Sequence, residues 1–189
     1  MKKLACILFA SIFLGISAFC DVIIMKDLDI LPVMGTSEYD TYNKRIWNPD
    51  FKDFDMSAGT SVLFSLPSLG NLNFYLGAGS SVNMMYSLPG ISVNVNSAIS
   101  YSFHESSWPQ MEIFLYTRAG CGFTFIKGVD FYMFADAMPY FMFMPPKGHH
   151  GFFFGAGPQI EYLQAANWEL YNKIDFGFSL AGGFRFQTK

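Results

Sequence analysis

Charge is scarce in this chain. Charged residues make up 14% of its 189 positions, against about 25% in ordinary soluble domains, so a surface facing water would be hard to cover. Basic residues are not in excess either: 12 Lys and Arg stand against 15 Asp and Glu, for a net charge of −3. No Lys/Arg run supplies the cationic track that a phosphate backbone needs, which removes nucleic acid from the expected partners. There are 3 cysteines, Cys6, Cys20 and Cys121, too few for a disulfide framework. Beyond residue 20 no apolar run approaches the ~20 residues of a membrane-spanning helix without Gly, Pro or polar interruption. Helical spans are therefore excluded.

The chain has, instead, a two-residue period. Seven stretches between Phe54 and Phe186 place large apolar side chains at alternate positions, with Asn, Ser, Gly or a lone charge between them. This is the signature of strands with two unlike faces. Ile91 to Phe103 is the clearest, with Ile, Val, Tyr and Phe on one side and Ser, Asn and Ala on the other. The others run Phe54–Leu66, Leu72–Tyr86, Met111–Phe125, Phe131–Phe143, Phe152–Tyr162 and Ile174–Phe186, with Phe134 and Met138 as large residues on the otherwise small inner face. An eighth stretch, Val22–Met34, alternates poorly because it holds Lys26, Asp27, Asp29 and Pro32. Closure argues for including it, since unpaired backbone at an open edge costs several kcal/mol per group in hydrocarbon. The expected fold is all-β: an eight-stranded antiparallel up-and-down transmembrane β-barrel, apolar outside and small and polar inside.

Dimensions agree with that expectation. Ile174 to Phe186 is twelve steps, or roughly 40 Å at ~3.3 Å each, and a tilt of about 45° lowers this to a wall close to the ~25 Å apolar band of such barrels. Laying the strands up and down gathers Phe64, Phe74, Tyr101, Phe103, Phe141, Phe143, Phe152, Phe154, Phe184 and Phe186 near one rim. Phe54, Tyr86, Phe123, Phe125, Phe131, Tyr162 and Phe176 gather near the other. These are two aromatic girdles. The outer face at mid-height is small, with Ala58, Ala78, Ser80, Ser97, Ala119, Ala135, Ala137 and Ala156. That waist leaves a soluble, lipocalin-like barrel as the competing reading, its Phe-rich face turned inward around an apolar ligand. The small, uncharged opposite face fits a narrow lumen better than a solvated exterior.

The N-terminus divides the chain. Met1-Lys2-Lys3 followed by an apolar run to Phe19 reads as a secretory signal peptide over residues 1–20, leaving residues 21–189 as a single barrel domain. Cys20 after this run resembles the modified cysteine of a lipoprotein, although Phe19 is bulky where that signal takes a small residue.

Turn chemistry at Pro67-Ser68-Leu69-Gly70, Leu88-Pro89-Gly90, Lys127-Gly128 and Pro145-Pro146-Lys147-Gly148 separates the strands into hairpins. Because paired residues share a face, parity limits the registers. A three-residue turn at Lys127-Gly128-Val129 would oppose Gly120 to Asp136, leaving Arg118 diagonal to Asp136 as a structural lumen pair. A similar register opposes Glu161 to Asp175. With Asp53, Asp55 and Asp130 these would form an acidic mouth at the external rim, where repulsion between carboxylates would favour a divalent cation such as Ca²⁺ or a basic partner.

At the last strand, Ser179-Leu180-Ala181-Gly182-Gly183-Phe184-Arg185-Phe186 resembles the C-terminal targeting strand of bacterial outer-membrane proteins, with Phe184 and Phe186 at its aromatic positions. The chain departs from that pattern by continuing through Gln187-Thr188-Lys189. Together with the signal peptide and the strands, it resembles small eight-stranded barrels of the OmpA/OmpX type. The resemblance implies an outer membrane of a Gram-negative-type envelope, periplasmic termini, lipid as surroundings and the barrel-assembly machinery as a partner during biogenesis. It implies no activity.

Candidate chemistry is sparse. His104-Glu105-Ser106 resembles the His-x-Ser pair and Glu of lipid A deacylases, which are also barrels, but it falls in a turn at the rim assigned to the periplasm, where an ordinary polar turn is expected. His149-His150 are adjacent, which is not a usual metal spacing. No catalytic residue, cofactor or metal is expected. The segment from Gly35 to Lys52, with Tyr39, Tyr42, Lys44, Arg45 and Trp47, is the longest connection and the natural place for a surface contact. A non-enzymatic envelope structural or surface-interaction role follows, with a lipid-modifying barrel enzyme as the rival in class.

Overall fold

The computed structural model describes residues 21–32, 54–83, 90–103, 109–124, 131–146, 149–165 and 172–187. The expected signal peptide, the Gly35–Lys52 connection, His104-Glu105-Ser106, Asp53 and Asp130 lie outside these residues. Eight strands form one sheet: β1 (Val22–Pro32), β2 (Phe54–Ser65), β3 (Leu72–Asn83), β4 (Gly90–Ser102), β5 (Gln110–Thr124), β6 (Tyr132–Met144), β7 (Gly151–Ala165) and β8 (Asn172–Phe186). Each pairs antiparallel with its neighbour in sequence, and β1 pairs with β8 to close the barrel. The irregular first segment is thus a full strand, held by β2 from Val22↔Phe64 to Pro32↔Phe54 and by β8 from Val22↔Phe186 to Ile30↔Phe178. Every edge is paired.

The two faces separate as alternation demands. On β4, burial alternates without a break from Gly90 to Ser102. Outside stand Val93 (62% exposed), Val95 (63%), Phe141 (59%), Phe152 (78%) and Phe154 (64%). Inside, and buried, are Asn73, Asn83, Asn94, Asn96, Ser61, Ser81, Ser92 and Ser100. The Phe-rich face therefore points outward, which removes the lipocalin-like reading, because that barrel would hold those rings around an internal ligand. Rings gather near the rims as well: Phe152 with Phe184 at 4.9 Å, Phe184 with Phe186 at 4.5 Å and Phe143 with Phe154 at 5.2 Å at the Val22 end, and Phe123 with Phe131 at 5.8 Å at the other. The small waist partly satisfies itself, since Ser97 and Thr117, opposed on β4 and β5, hydrogen bond at 2.7 Å.

The interior is not uniformly small, as the alternation had implied. Toward the Val22 end it is filled by Ile23, Met25, Leu63, Tyr75, Phe114, Tyr116, Met138, Tyr140, Met142 and Phe153, all buried. A ladder of rings crosses it, from Tyr75 to Phe114 (5.4 Å), Tyr116 (6.4 Å) and Tyr140 (6.3 Å). Glycines opposite bulky residues make the room: a Cβ on Gly122 would collide with the Tyr132 ring, and one on Gly155 with Met142. Eight strands enclose only enough width for side chains, so large residues on one strand require small ones across from them.

Two local features follow from backbone chemistry. The β2–β3 connection turns at Gly70, whose φ of 59° suits a residue without a Cβ, and Leu69 and Leu72 close it with reciprocal backbone bonds. Between β6 and β7 the ladder is interrupted from Ala137↔Ile160 to Phe141↔Ala156. Pro139 and Pro158 lie in this interval, and neither has an N–H to give. Placing both in the same interval confines the loss to one break, and the register resumes unchanged beyond it.

Candidate functional site

The described charged side chains of the barrel are almost all inside. Asp21, Asp27, Asp29, Glu112, Arg118, Asp136, Glu161, Asp175 and Arg185 are buried, and they form two groups at different heights. Such groups need compensating partners, because an isolated charge in a low-dielectric interior costs several kcal/mol.

Arg118 organises the first group. It extends from β5, directly opposite Asp136 on β6. Arg118 Nε donates to Asp136 Oδ2 at 2.9 Å and Nη2 to the same oxygen at 2.6 Å, while the Arg118 backbone N–H donates to Asp136 Oδ1 at 3.2 Å. The guanidinium also spans the lumen to β1, where Nη2 donates to Asp29 Oδ2 at 2.5 Å and Nη1 donates to Asp27 Oδ2. One planar fork thus engages three carboxylates, a geometry that Lys could not reproduce. Asp29 is held further by Ser57 Oγ (2.9 Å) and Ser179 Oγ (2.5 Å), and Ser179 is within 2.6 Å of Tyr140 OH. Beside it, Ser61 Oγ pairs with Tyr116 OH at 2.7 Å and accepts from Asn96 Nδ2 at 2.8 Å, and the Tyr116 ring lies 5.9 Å from the Arg118 guanidinium. Gly59, directly across from Asp27, makes the space for it, as a Cβ there would strike the Asp27 carboxylate.

The pair Arg118–Asp136 therefore exists, but in a register two residues away from the expected one: Gly120 faces Phe134, and Arg118 faces Asp136. Parity permits any even shift, so turn chemistry alone did not select between these registers; the direct pairing places both charges in one bonded layer. Asp27 and Asp29 were the missed members. Read along the sequence they spoil the alternation of the first strand, yet as i and i+2 they share a face, and that shared face was the available signal.

The expected acidic mouth is rearranged. Asp136 is opposite Glu161 and Glu161 is opposite Asp175, so three carboxylates stand on successive strands beside Arg118. All three are buried, not hydrated at a rim. Glu161 Oε1 and both amide atoms of Gln159, two residues away on the same face, have no hydrogen-bond partner among the described residues. Asp55 lies across from Leu31 in the β1–β2 register. Among the described residues no group of three or more His, Cys, Asp or Glu is arranged to hold a metal ion.

The second group closes the Val22 end. Arg185, between the outward Phe184 and Phe186, turns inward and donates through Nε (3.1 Å) and Nη2 (2.8 Å) to Asp21 Oδ2, and through Nη1 to the Pro145 carbonyl (3.2 Å). Glu112 is 3.9 Å from the same guanidinium. The Asp21 backbone N–H in turn donates to Ser65 Oγ at 2.8 Å. His149 and His150 lie exposed at this rim, where His150 Nδ1 accepts from the Gln187 backbone N–H at 3.0 Å. His150 thereby ties this rim to the segment that follows β8, while the His149 backbone N–H donates to the Pro146 carbonyl at 3.0 Å.

A closed antiparallel barrel with an apolar outer wall, aromatic rims and its charges turned inward is a transmembrane β-barrel. A comparison with solved structures finds the crystal structure of Neisserial surface protein A (NspA), 12% identical, covering 90% of this chain and 97% of that chain with a TM-score of 0.48. No family model matches the chain, and no curated protein does.

Proposed function

We propose that this chain is an outer-membrane barrel of a Gram-negative-type envelope, with a structural or surface-interaction role and no catalytic one. The observation that carries this reading is the distribution of charge: nine charged side chains are buried in the lumen, while the wall presents Phe, Val, Leu and Ile. In water that arrangement would expose a large apolar surface and lock away the groups that confer solubility. In lipid it is the favourable arrangement. The ring ladder and the Arg185 group occupy the Val22 end of the lumen, which supports a role other than a channel. The signal-like residues 1–20 and the Phe184–Phe186 strand are consistent with export and with the barrel-assembly machinery as the partner in biogenesis, and outer-membrane lipid is the surrounding partner.

The test is fractionation of cells carrying the full chain, followed by gel mobility of the detergent-extracted protein with and without heating. The expected result is recovery with the outer membrane and a mobility that shifts on heating, as a closed and detergent-resistant barrel gives. Recovery as a soluble periplasmic species would falsify the reading. Turnover of lipopolysaccharide by the purified protein, lost in His104→Ala, would replace the non-catalytic role with that of a lipid-modifying enzyme.

A further inference from the structure

One charge is on the wrong side of the wall. Lys26 on β1 is exposed on the outer face, and it is the one charged strand residue with a described outward side chain; the other described ones are buried in the lumen. No carboxylate pairs with it among the described residues. A lysine facing lipid at the bilayer midplane costs about 2–4 kcal/mol, falling toward zero at the interfaces. Its position decides which of these applies. Lys26 is four residues from the start of β1 at Val22 and six from its end at Pro32. Four steps at ~3.3 Å along the strand, tilted by about 45°, leave it roughly 9 Å above the Val22 rim. The flexible four-carbon stem of lysine can lie along an apolar surface and carry the ammonium the rest of the way toward that rim.

The neighbours leave that path open. Directly opposite Lys26 are Thr60 on β2 and Gly182 on β8, one short and one without a side chain, and the next residue beyond Thr60 is Ser80. Thr60 and Ser80 are both exposed. Just below, toward the rim, Gly182 gives way to the Phe184–Phe186 ring pair. The result is a slot in the wall, bordered by rings at the level where lipid headgroups begin.

We propose that this slot binds the headgroup of an anionic phospholipid from the leaflet at the Val22 end, with the Lys26 ammonium on its phosphate. The proposal rests on the transmembrane reading given above. Charge complementarity selects the occupant. A second copy of this barrel would bring no outward acid from among the described strand residues to meet Lys26. An anionic headgroup meets it at the depth the lysine reaches.

The experiment compares the wild type with Lys26→Met and Lys26→Arg, each folded into vesicles of phosphatidylcholine with and without phosphatidylglycerol, then extracted and weighed with its retained lipids by native mass spectrometry. Wild type and K26R are expected to retain phosphatidylglycerol over phosphatidylcholine. K26M should reduce that preference about fivefold, the order expected for one basic residue at an anionic surface. In phosphatidylcholine alone K26M should be no less stable than wild type, since the change removes a charge from an apolar face. Equal retention of the two lipids by wild type, or an undiminished preference in K26M, overturns the proposal while leaving the barrel in the membrane. Coelution of a second protein with wild type and its loss in K26M would assign the lysine to a protein partner and overturn it too. Failure of the wild type to insert into either vesicle overturns the transmembrane reading and the lipid site with it.

Discussion

Arg118 and Asp29 sit on opposite walls of the barrel, on β5 and β1, and are joined across the lumen by a 2.5 Å hydrogen bond from Nη2 to Oδ2. The bond acts as a strut. It ties the strand that closes the barrel to the far side, and Asp136 fixes the other edge of the same guanidinium. Removing Arg118 leaves Asp27, Asp29 and Asp136 buried without a counter-charge. We expect Arg118→Met to cost about 3–5 kcal/mol, the range for breaking a buried ion pair from one side, read as a lower urea midpoint for the heat-modifiable form. Adding Asp27→Asn, Asp29→Asn and Asp136→Asn to R118M should recover part of that loss, because no charge is then stranded. A midpoint for R118M equal to wild type would show that water already supports these carboxylates.

Gly59 supplies a second, independent check on the same layer. A Cβ at that position collides with the Asp27 carboxylate, so Gly59→Ala should push Asp27 off Arg118 and destabilise by about 1–3 kcal/mol, as overpacking does. If the collision is the cause, Asp27→Ala should erase most of the penalty, and a double-mutant cycle should return a clear coupling energy. Additive effects would mean that the glycine is required for the backbone alone.

Why part of this was legible and part was not can be seen in single residues. Ile91 to Phe103 announces a strand because burial on one face forces a period of two, and the structure keeps that period residue for residue. Glu161 faces Asp175, as the expected register had it. The first strand hid its logic: Asp27 and Asp29 look like interruptions until Arg118, about ninety positions away, supplies the reason for them. The two-residue shift between β5 and β6 was hidden for a related reason, since alternation is unchanged by an even slip and only the bonded Arg118–Asp136 pair distinguishes the registers. Tyr75, Phe114, Tyr116 and Phe153 were obscured differently. They are large residues on the nominally small face, and where they fit depends on glycines and serines of other strands, which no local window contains.

Arg185 predicts a defect in closure more than in the wall. It is buried at the end of β8, and its partners lie before β1, on β5 and beyond β6. Arg185→Ala should therefore leave Glu112 uncompensated and loosen the β1–β8 seam, at a cost of about 3 kcal/mol or more. Asp21→Ala should cost less, since Asp21 is the more exposed member of the pair. The measurement is proteolysis of the folded protein in vesicles, with cleavage near the Val22 end expected first in R185A. Wild-type protection in that variant would mean that the backbone ladder between β1 and β8 suffices by itself.

The ring ladder predicts electrical silence. Tyr75, Phe114, Tyr116 and Tyr140 stand 5.4 to 6.4 Å apart from ring to ring across the lumen, and each is buried at 2% exposure or less. Ions entering from the Pro32 end pass buried Leu31, Tyr132, Phe134 and Leu163, then the Arg118 layer, and then this block of rings. Wild-type barrel in a planar lipid bilayer should show no stable conductance steps. Phe114→Ala with Tyr116→Ala removes the two central rings, and although each such truncation costs about 3–5 kcal/mol in a packed core, water can enter this lumen and support its polar lining. The double variant should show small steps favouring cations, because Asp136, Glu161 and Asp175 lie above the opening with Arg118 as their nearest cation. Retained heat-modifiable mobility confirms that the variant is folded. Silence in a folded double variant would locate the barrier at the Arg185 group or at Tyr132 and Phe134 instead, and steps in the wild type would mean that the ladder is not a seal.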